Sequence, residues 1–521
     1  MSEEVPVLKP DEAFADRKGA IRVLWMALVT ACIHQYLFFE HSFGISYPIF
    51  IGIFYALLLG NAKGSMRRLT GIDYFCFAAV ALLALTYVLF ANPIFYGLNF
   101  IAIPVLIALH TVYLFGPDKG RVWSDIRLIS ATLEQLFIQT FGHWATAFSL
   151  LRSTTATKID SRHKKTTGSV LIGLAIAGPL LIIVTTLLGS ADGVFQGIVN
   201  AIPDSFGSFS IGEGIGRFMW IVILSLLLFG YVWGFVRPRV SHRARLAANW
   251  KEAQLQGTVP LHAAKAGSAS VKADPLIIAT VLVAINAVYI LFVVIQFSYL
   301  FGMLNGQLPE GMTYAEYARG GFFELVIVTS INFAIMLGTL VFSDRSRVIL
   351  AKVNNVLLYV LVSCSGVMLV SAYKRLVLYE QAYGYTYIRF LVHAFMIYLA
   401  VLLLIAGLRI AISRIPLARF YIVISIAAYV LINYIGMDRM IAERNIERFN
   451  STATITDISY LDELSADVVP LLIEYADKHP ELEKGLKHRE EELQNRDHSW
   501  QSYNWAKARA QRQLNQHFSS N

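Results

Sequence analysis

An all-α, polytopic transmembrane helix bundle of about eleven spans, ending in a small helical C-terminal tail, is the fold class this sequence predicts. Three observations carry it. Apolar residues make up 56% of 521 positions, and the mean hydropathy is +0.54, far from soluble usage. Apolar windows of about 20 residues recur along the whole chain. Lysine and arginine, 44 in all, concentrate in alternate loops, as the positive-inside rule requires of a chain that starts on the inner side.

In the first half the windows run from Ala20 to Phe39, Ser42 to Gly60, Ile72 to Ala91, Ile94 to Phe115, Ser169 to Ser190 and Ile215 to Val236. In the second they run from Leu276 to Phe301, Gly321 to Phe342, Val353 to Ala372, Phe390 to Ile410 and Ala418 to Gly436. The expected organisation is an inner tail over 1–19, a membrane half over 20–236, a basic linker over 237–275, a second half over 276–436 and an outer helical tail over 437–521. The first span lacks a small-residue cleavage site and is expected to be retained. An odd number of crossings takes the C-terminus outside. The formal charge of +8 then reflects topology, and nucleic-acid binding is not expected. Cys32, Cys76 and Cys364 all fall within spans and read as small buried apolar groups.

Between Arg121 and Leu150, Val122, Ile126, Ile129, Leu133, Phe137, Phe141, Trp144 and Phe148 recur every three or four residues. This spacing predicts one amphipathic helix on the inner face of the bilayer, with Trp123 and Trp144 near the headgroups. In the fourth span, Asn99 and His110 either line a cavity or hydrogen-bond a neighbouring helix.

Polar groups gather at the outer ends of the second half. Thr313 and Glu316 form a capping box that starts a helix near Tyr314. On it Tyr317, Gly320 and Glu324 share a face, with Arg319 beside them. The expected outer loop Tyr373 to Arg389 holds Arg375, Tyr379, Glu380 and Arg389. These residues read either as an aromatic belt with snorkelling cations or as a cleft. In the cleft, Arg375 or Arg389 pairs with Glu316, Glu324 or Glu380. The candidate binding cluster is thus Glu316, Tyr317, Arg319, Glu324, Arg375, Tyr379, Glu380 and Arg389.

The twelve histidines make no His-x-x-x-His pair, and no carboxylates have metal spacing. No P-loop and no Gly-x-Ser-x-Gly elbow occurs, so neither metal nor cofactor is expected. The expected partners are the lipid bilayer and an envelope protein met by the C-terminal tail.

Taken together, GISYPIF from Gly44, LPEGMTYAEYARGGFFEL from Leu308, RLVLYEQAYGYTYIR from Arg375 and the tail segments NIERFN and ISYLDELSADVVPLL resemble a family of uncharacterised bacterial multi-pass membrane proteins. That family is catalogued as a domain of unknown function. The resemblance runs from the first outer loop to about residue 475. It implies a bacterial cytoplasmic-membrane location and a span-rich architecture, and no activity. Three functional classes follow from the residues: a transporter, an envelope sensor or assembly partner, and, as the alternative, a lipid-linked glycosyl or acyl transferase.

Overall fold

Backbone polar groups in lipid have no solvent partner, so long apolar stretches must close their hydrogen bonds within helices. The computed structural model describes residues 10–155, 211–239, 274–304, 322–342, 348–412, 414–452, 460–476 and 478–520. Among these residues the regular structure is helical throughout. Among the described residues nine helices are long and apolar enough to cross a membrane, and the fold is an all-α polytopic bundle.

In the first half the helices are α1 (Pro10–Phe38), α2 (Ser46–Ala62), α3 (Gly71–Leu89), α4 (Pro93–Phe115), α5 (Arg127–Leu133), α6 (Trp144–Thr155) and α7 (Ile211–Val236). The second half contributes α8 (Pro275–Leu304), α9 (Phe322–Phe342), α10 (Val348–Tyr383), α11 (Tyr387–Ala411) and α12 (Leu417–Tyr434). Beyond them lie α13 (Met437–Thr452), α14 (Val469–Ala476), α15 (Glu481–Gln494) and α16 (Trp505–Ser520). The nine apolar helices coincide with nine of the expected spans, and α9 carries a shorter apolar run, Val326–Leu340. The expected span Ser169 to Ser190 lies wholly, and the basic linker 237–275 largely, outside the described residues.

The chain divides into two compact units. The first comprises Met1–Leu89, Tyr96–Ser241 and Arg496–Trp505, and the second Phe90–Phe95, His242–Asn495 and Ala506–Asn521. The tail after residue 437 is therefore shared between them.

In the first unit, Ala20, Val23 and Ala27 of α1 bury against a core that includes Phe229, Val232 and Trp233 of α7. Small side chains at these steps let two helix backbones approach closely, which stands in for a hydrophobic force that lipid does not supply. The same logic holds on the other face of α7. A Cβ on Gly230 would overlap the Thr140 carbonyl, and one on Gly234 would lie 2.7 Å from Nε2 of Gln135.

The segment predicted as a single amphipathic helix is broken. It starts at Arg127, passes through a π-helical turn at Glu134–Gln139 and one further turn at Thr140–Gly142, and resumes as α6. The π-turn accommodates glutamines that reach α7: Gln135 Nε2 donates to the Tyr231 carbonyl at 2.8 Å, and Gln139 exchanges two 2.8 Å bonds with the Arg239 backbone. Ile126, Ile129, Leu133, Phe137 and Phe141 point away from the protein and are exposed.

In the second unit, Leu282, Met336, Leu358, Leu361, Ala406 and Ile410 form one core among the spans. Val326, Met368, Leu376, Met396 and Leu399 form another. The tail helices build a third from Met437, Ile441, Ile446, Leu464, Val468, Leu472, Leu486 and Leu514, with Phe95 inserted.

Two expectations need correction here. The stretch from Tyr373 to Arg389 is not a loop, because α10 continues to Tyr383 and only Gly384 to Thr386 are non-helical. Charged side chains do not end a helix, whereas Gly384 does. Its φ of 78° suits a residue without Cβ, and its N–H closes on the Glu380 carbonyl at 2.8 Å. Cys32 is exposed on the outward face of α1, while Cys76 and Cys364 are buried.

Candidate functional site

Of the residues expected to form an outer cluster, Glu316, Tyr317 and Arg319 lie outside the described residues. Glu324 falls in the first turn of α9. Of the other four, Arg375, Tyr379 and Glu380 lie along the C-terminal part of α10 and Arg389 lies in the first turn of α11. The Arg389 guanidinium stacks 4.2 Å from the Tyr379 ring centroid and donates to the carbonyls of Tyr383, at 2.9 Å, and Gly384. A cation there satisfies carbonyls that the helix end leaves open. Arg375, about two turns before the end of α10, is half-buried.

Glu380 is paired with a histidine. It is 2% exposed, and its Oε1 lies 3.1 Å from Nδ1 of His393, whose ring packs 4.4 Å from that of Tyr373. Arg389 is already engaged by the helix end, which leaves the imidazole as the group that meets the carboxylate. Glu380 and His393 thus form a carboxylate–histidine pair, and Glu316, the other carboxylate expected to meet Arg375 or Arg389 beside Glu324, lies outside the described residues.

A second such pair lies in the first unit and is more deeply enclosed. Thr70 and Asp73 form a capping box at the head of α3: Oδ2 of Asp73 accepts from both the N–H and the hydroxyl of Thr70 at 2.7 Å. Its other oxygen, Oδ1, faces Nε2 of His110 on α4 at 3.4 Å, an ion-pair separation. The remaining ring nitrogen, Nδ1, meets the Tyr55 hydroxyl of α2 at 3.3 Å. Phe77 packs edge-on against the imidazole at 4.6 Å. Relative exposures are 0% for Asp73, 3% for His110 and 8% for Tyr55. Three spans therefore deliver a carboxylate, an imidazole and a phenol to one dry point.

His110 bonds to a neighbouring helix, one of the two uses expected of it. Asn99 does the same, donating to Thr86 Oγ1 at 2.9 Å. Sequence reasoning missed Asp73. The usable signal was Thr70-x-x-Asp73 running directly into an apolar window, which seats the carboxylate inside the first turn.

A third polar constellation joins the tail core. Asp438 is buried and accepts from Asn92 Nδ2 at 2.5 Å, from the Ser465 N–H at 3.0 Å and from the Tyr387 hydroxyl. Asp467 accepts from the Ala91 N–H and the Ser465 hydroxyl, each at 2.8 Å. Burial pushes the Asp467 carboxyl up to about 6, against its two hydrogen bonds and with the nearby Asp438 charge adding to the rise. Arg489 donates to the carbonyls of Leu461, Leu464 and Ser465 at 2.7 to 3.0 Å.

His41, Asp497 and Ser499 also meet, but not as a hydrolytic triad. Asp497 Oδ2 and Ser499 Oγ both lie 3.0 Å from the same ring nitrogen, Nδ1. Proton relay needs the acid and the nucleophile on opposite nitrogens. The group closes a turn instead, and the Ser502 and Ser499 bonds hold the Asp497 carboxyl well below the usual range. Among the described residues, no three or more His, Cys, Asp or Glu side chains are arranged to hold a metal ion.

Residues 77–475 match the model of a family described as a domain of unknown function, DUF4153. No curated protein and no solved structure is detectably similar to the chain. The GISYPIF segment and the tail beyond Tyr475 fall outside the match, whereas the segments from Leu308, Arg375 and Asn445 fall inside it. On that match the chain, a multi-pass membrane protein by its helices, belongs to the DUF4153 family.

Proposed function

We propose that this protein is a proton-responsive, transport-like component of a bacterial cytoplasmic membrane, with its N-terminus inside and its C-terminus outside. The observation that carries the reading is the Asp73–His110 pair, fully enclosed among α2, α3 and α4. Ionisable groups inside spans are costly and mark ion pathways or proton relays. The two groups share a small set of protons, so taking up or losing one changes the net charge of a site in low dielectric and changes what the neighbouring helices prefer. The Glu380–His393 pair gives the second unit a site of the same chemistry.

The orientation rests on the distribution of lysine and arginine. It is supported by the contact of His41, just after α1, with Asp497 near the C-terminus, which suits one compartment for both. A cysteine placed at Ser499 should react with impermeant reagent supplied from outside intact cells; reaction only from the cytosolic side overturns the orientation.

The transport reading is tested in proteoliposomes under an imposed pH gradient, with solute-dependent currents recorded across a broad panel of metabolites. Wild-type currents that vanish in Asp73→Asn, with thermal stability and monodispersity retained, are the expected outcome. No current with any solute from the wild type overturns it. A sensing or assembly role is the second reading, favoured by the packed outer tail. It predicts crosslinks to another envelope protein from the region between Arg444 and Leu472.

A further inference from the structure

Two carboxylates, the buried Asp438 and the half-buried Asp467, sit on either side of Ser465, which donates its backbone N–H to the first and its hydroxyl to the second. Each also holds a different part of the second unit. Asp438, on α13, takes the Asn92 amide and the Tyr387 hydroxyl at the start of α11. Asp467, in the turn before α14, takes the N–H of Ala91. The 460–468 turn is thereby tied to the 90–95 segment and to the head of a span.

We propose that this joint is an acid-tightened latch, in which protonation of Asp467 strengthens the attachment of the tail turn to the 90–95 segment. Asp438 faces Asp467 from α13 and disfavours a second negative charge, and Lys507 faces it from α16 and favours one. Arg489 on α15 is committed to the carbonyls of Leu461, Leu464 and Ser465. The charges nearest that arginine include Asp462 and Asp438. Tyr387 and Tyr460 bring neutral phenols, with Tyr460 receiving the Tyr387 N–H at 3.0 Å. Asp438 and Asp467 face each other, and Lys507 is the cation that faces Asp467, so the doubly ionised state is the strained one.

The sign follows from linkage. The Asp467 carboxyl titrates at about 6 in the folded protein, above its ordinary value of 3.8. Its stabilising contribution is therefore fully present below the ordinary carboxylate range and is lost as pH rises through about 6. Between pH 7.5 and pH 5 the local opening equilibrium should fall on the order of tenfold. In the orientation proposed above, the latch reads the pH of the outer compartment.

The test is hydrogen exchange on the full chain in nanodiscs at pH 5.0 and 7.5, corrected for intrinsic rates, on peptides covering 90–95, 437–446 and 460–468. Protection should rise on the order of tenfold at pH 5.0 in the wild type. Asp467→Asn should show the high protection at both pH values. Lys507→Gln, which leaves both carboxylates in place, should move the midpoint upward. Equal protection at the two pH values in the wild type, or a wild-type step surviving in Asp467→Asn, overturns the latch. Because exchange is read without any solute, neither result depends on the transport assay.

Discussion

Gly230 and Thr140 touch backbone to backbone: a single added carbon on the glycine would overlap the threonine carbonyl oxygen. The neighbouring glutamines, Gln135 and Gln139, are bonded to the backbone at the same end of α7. Neither partner can step aside without breaking these bonds. Gly230→Ala should therefore destabilise the first unit by about 1–3 kcal/mol. Gly52, with open space around it, provides the control. Thermal melts in nanodiscs should show a lowered midpoint for Gly230→Ala and an unchanged or slightly raised one for Gly52→Ala.

Removing one member of the Asp73–His110 pair leaves the other buried without its counter-group, a loss of about 3–5 kcal/mol. Asp73→Ala and His110→Ala should each lower the melting midpoint substantially. The double variant should cost much less than the two losses added together. Additive losses in the four-member cycle would show that the residues do not act as a pair.

The Ile45 N–H donates to the Tyr503 carbonyl at 3.1 Å, and Gly44 packs against the Ser502–Tyr503 peptide. Asp497 organises that turn through its serine bonds. The Asp497 carboxyl is held below its ordinary range, so its stabilising contribution is present above that range and is lost only as pH falls through the lowered value. Asp497→Ala should speed exchange of the Ile45 amide at neutral pH. In the wild type that amide should stay protected down to pH 4, the opposite trend to the 460–468 turn.

Arg489 is 7% exposed and serves three carbonyls at once. A lysine cannot reproduce the planar fork. Both Arg489→Lys and Arg489→Met should weaken the tail, the methionine variant by about 3 kcal/mol. Limited proteolysis between Tyr460 and Ala476 checks this, with faster cleavage expected in both variants.

The spans were legible because lipid imposes a length and a composition that no other solvent does. Beyond the break after Arg127 and the length of α10, what escaped the sequence were relationships between elements. Asp73 reads as a helix cap until α4 brings His110 to it, and Glu380 reads as a loop residue until α10 is seen to pass through Lys374 and Arg375. The ties of Ala91 to Asp467 and Asn92 to Asp438 join positions hundreds of residues apart, where local pattern has no reach. Gly230 and Gly234 are two unremarked glycines inside an apolar window until their close approach to Thr140 and Gln135 gives them a meaning. The apolar periodicity after Arg121 was real, but its stripe faces outward while glutamines hold the segment to the protein.

At 36 residues, α10 is roughly 54 Å long, well over the ~30 Å of a hydrocarbon layer. It runs without a break from Val348 to Tyr383, so Glu380 and Leu361 ride on one stiff rod. Any tilt imposed at its buried middle becomes a displacement at the end where Arg389 and His393 wait, and the protein has no joint along that helix with which to absorb it.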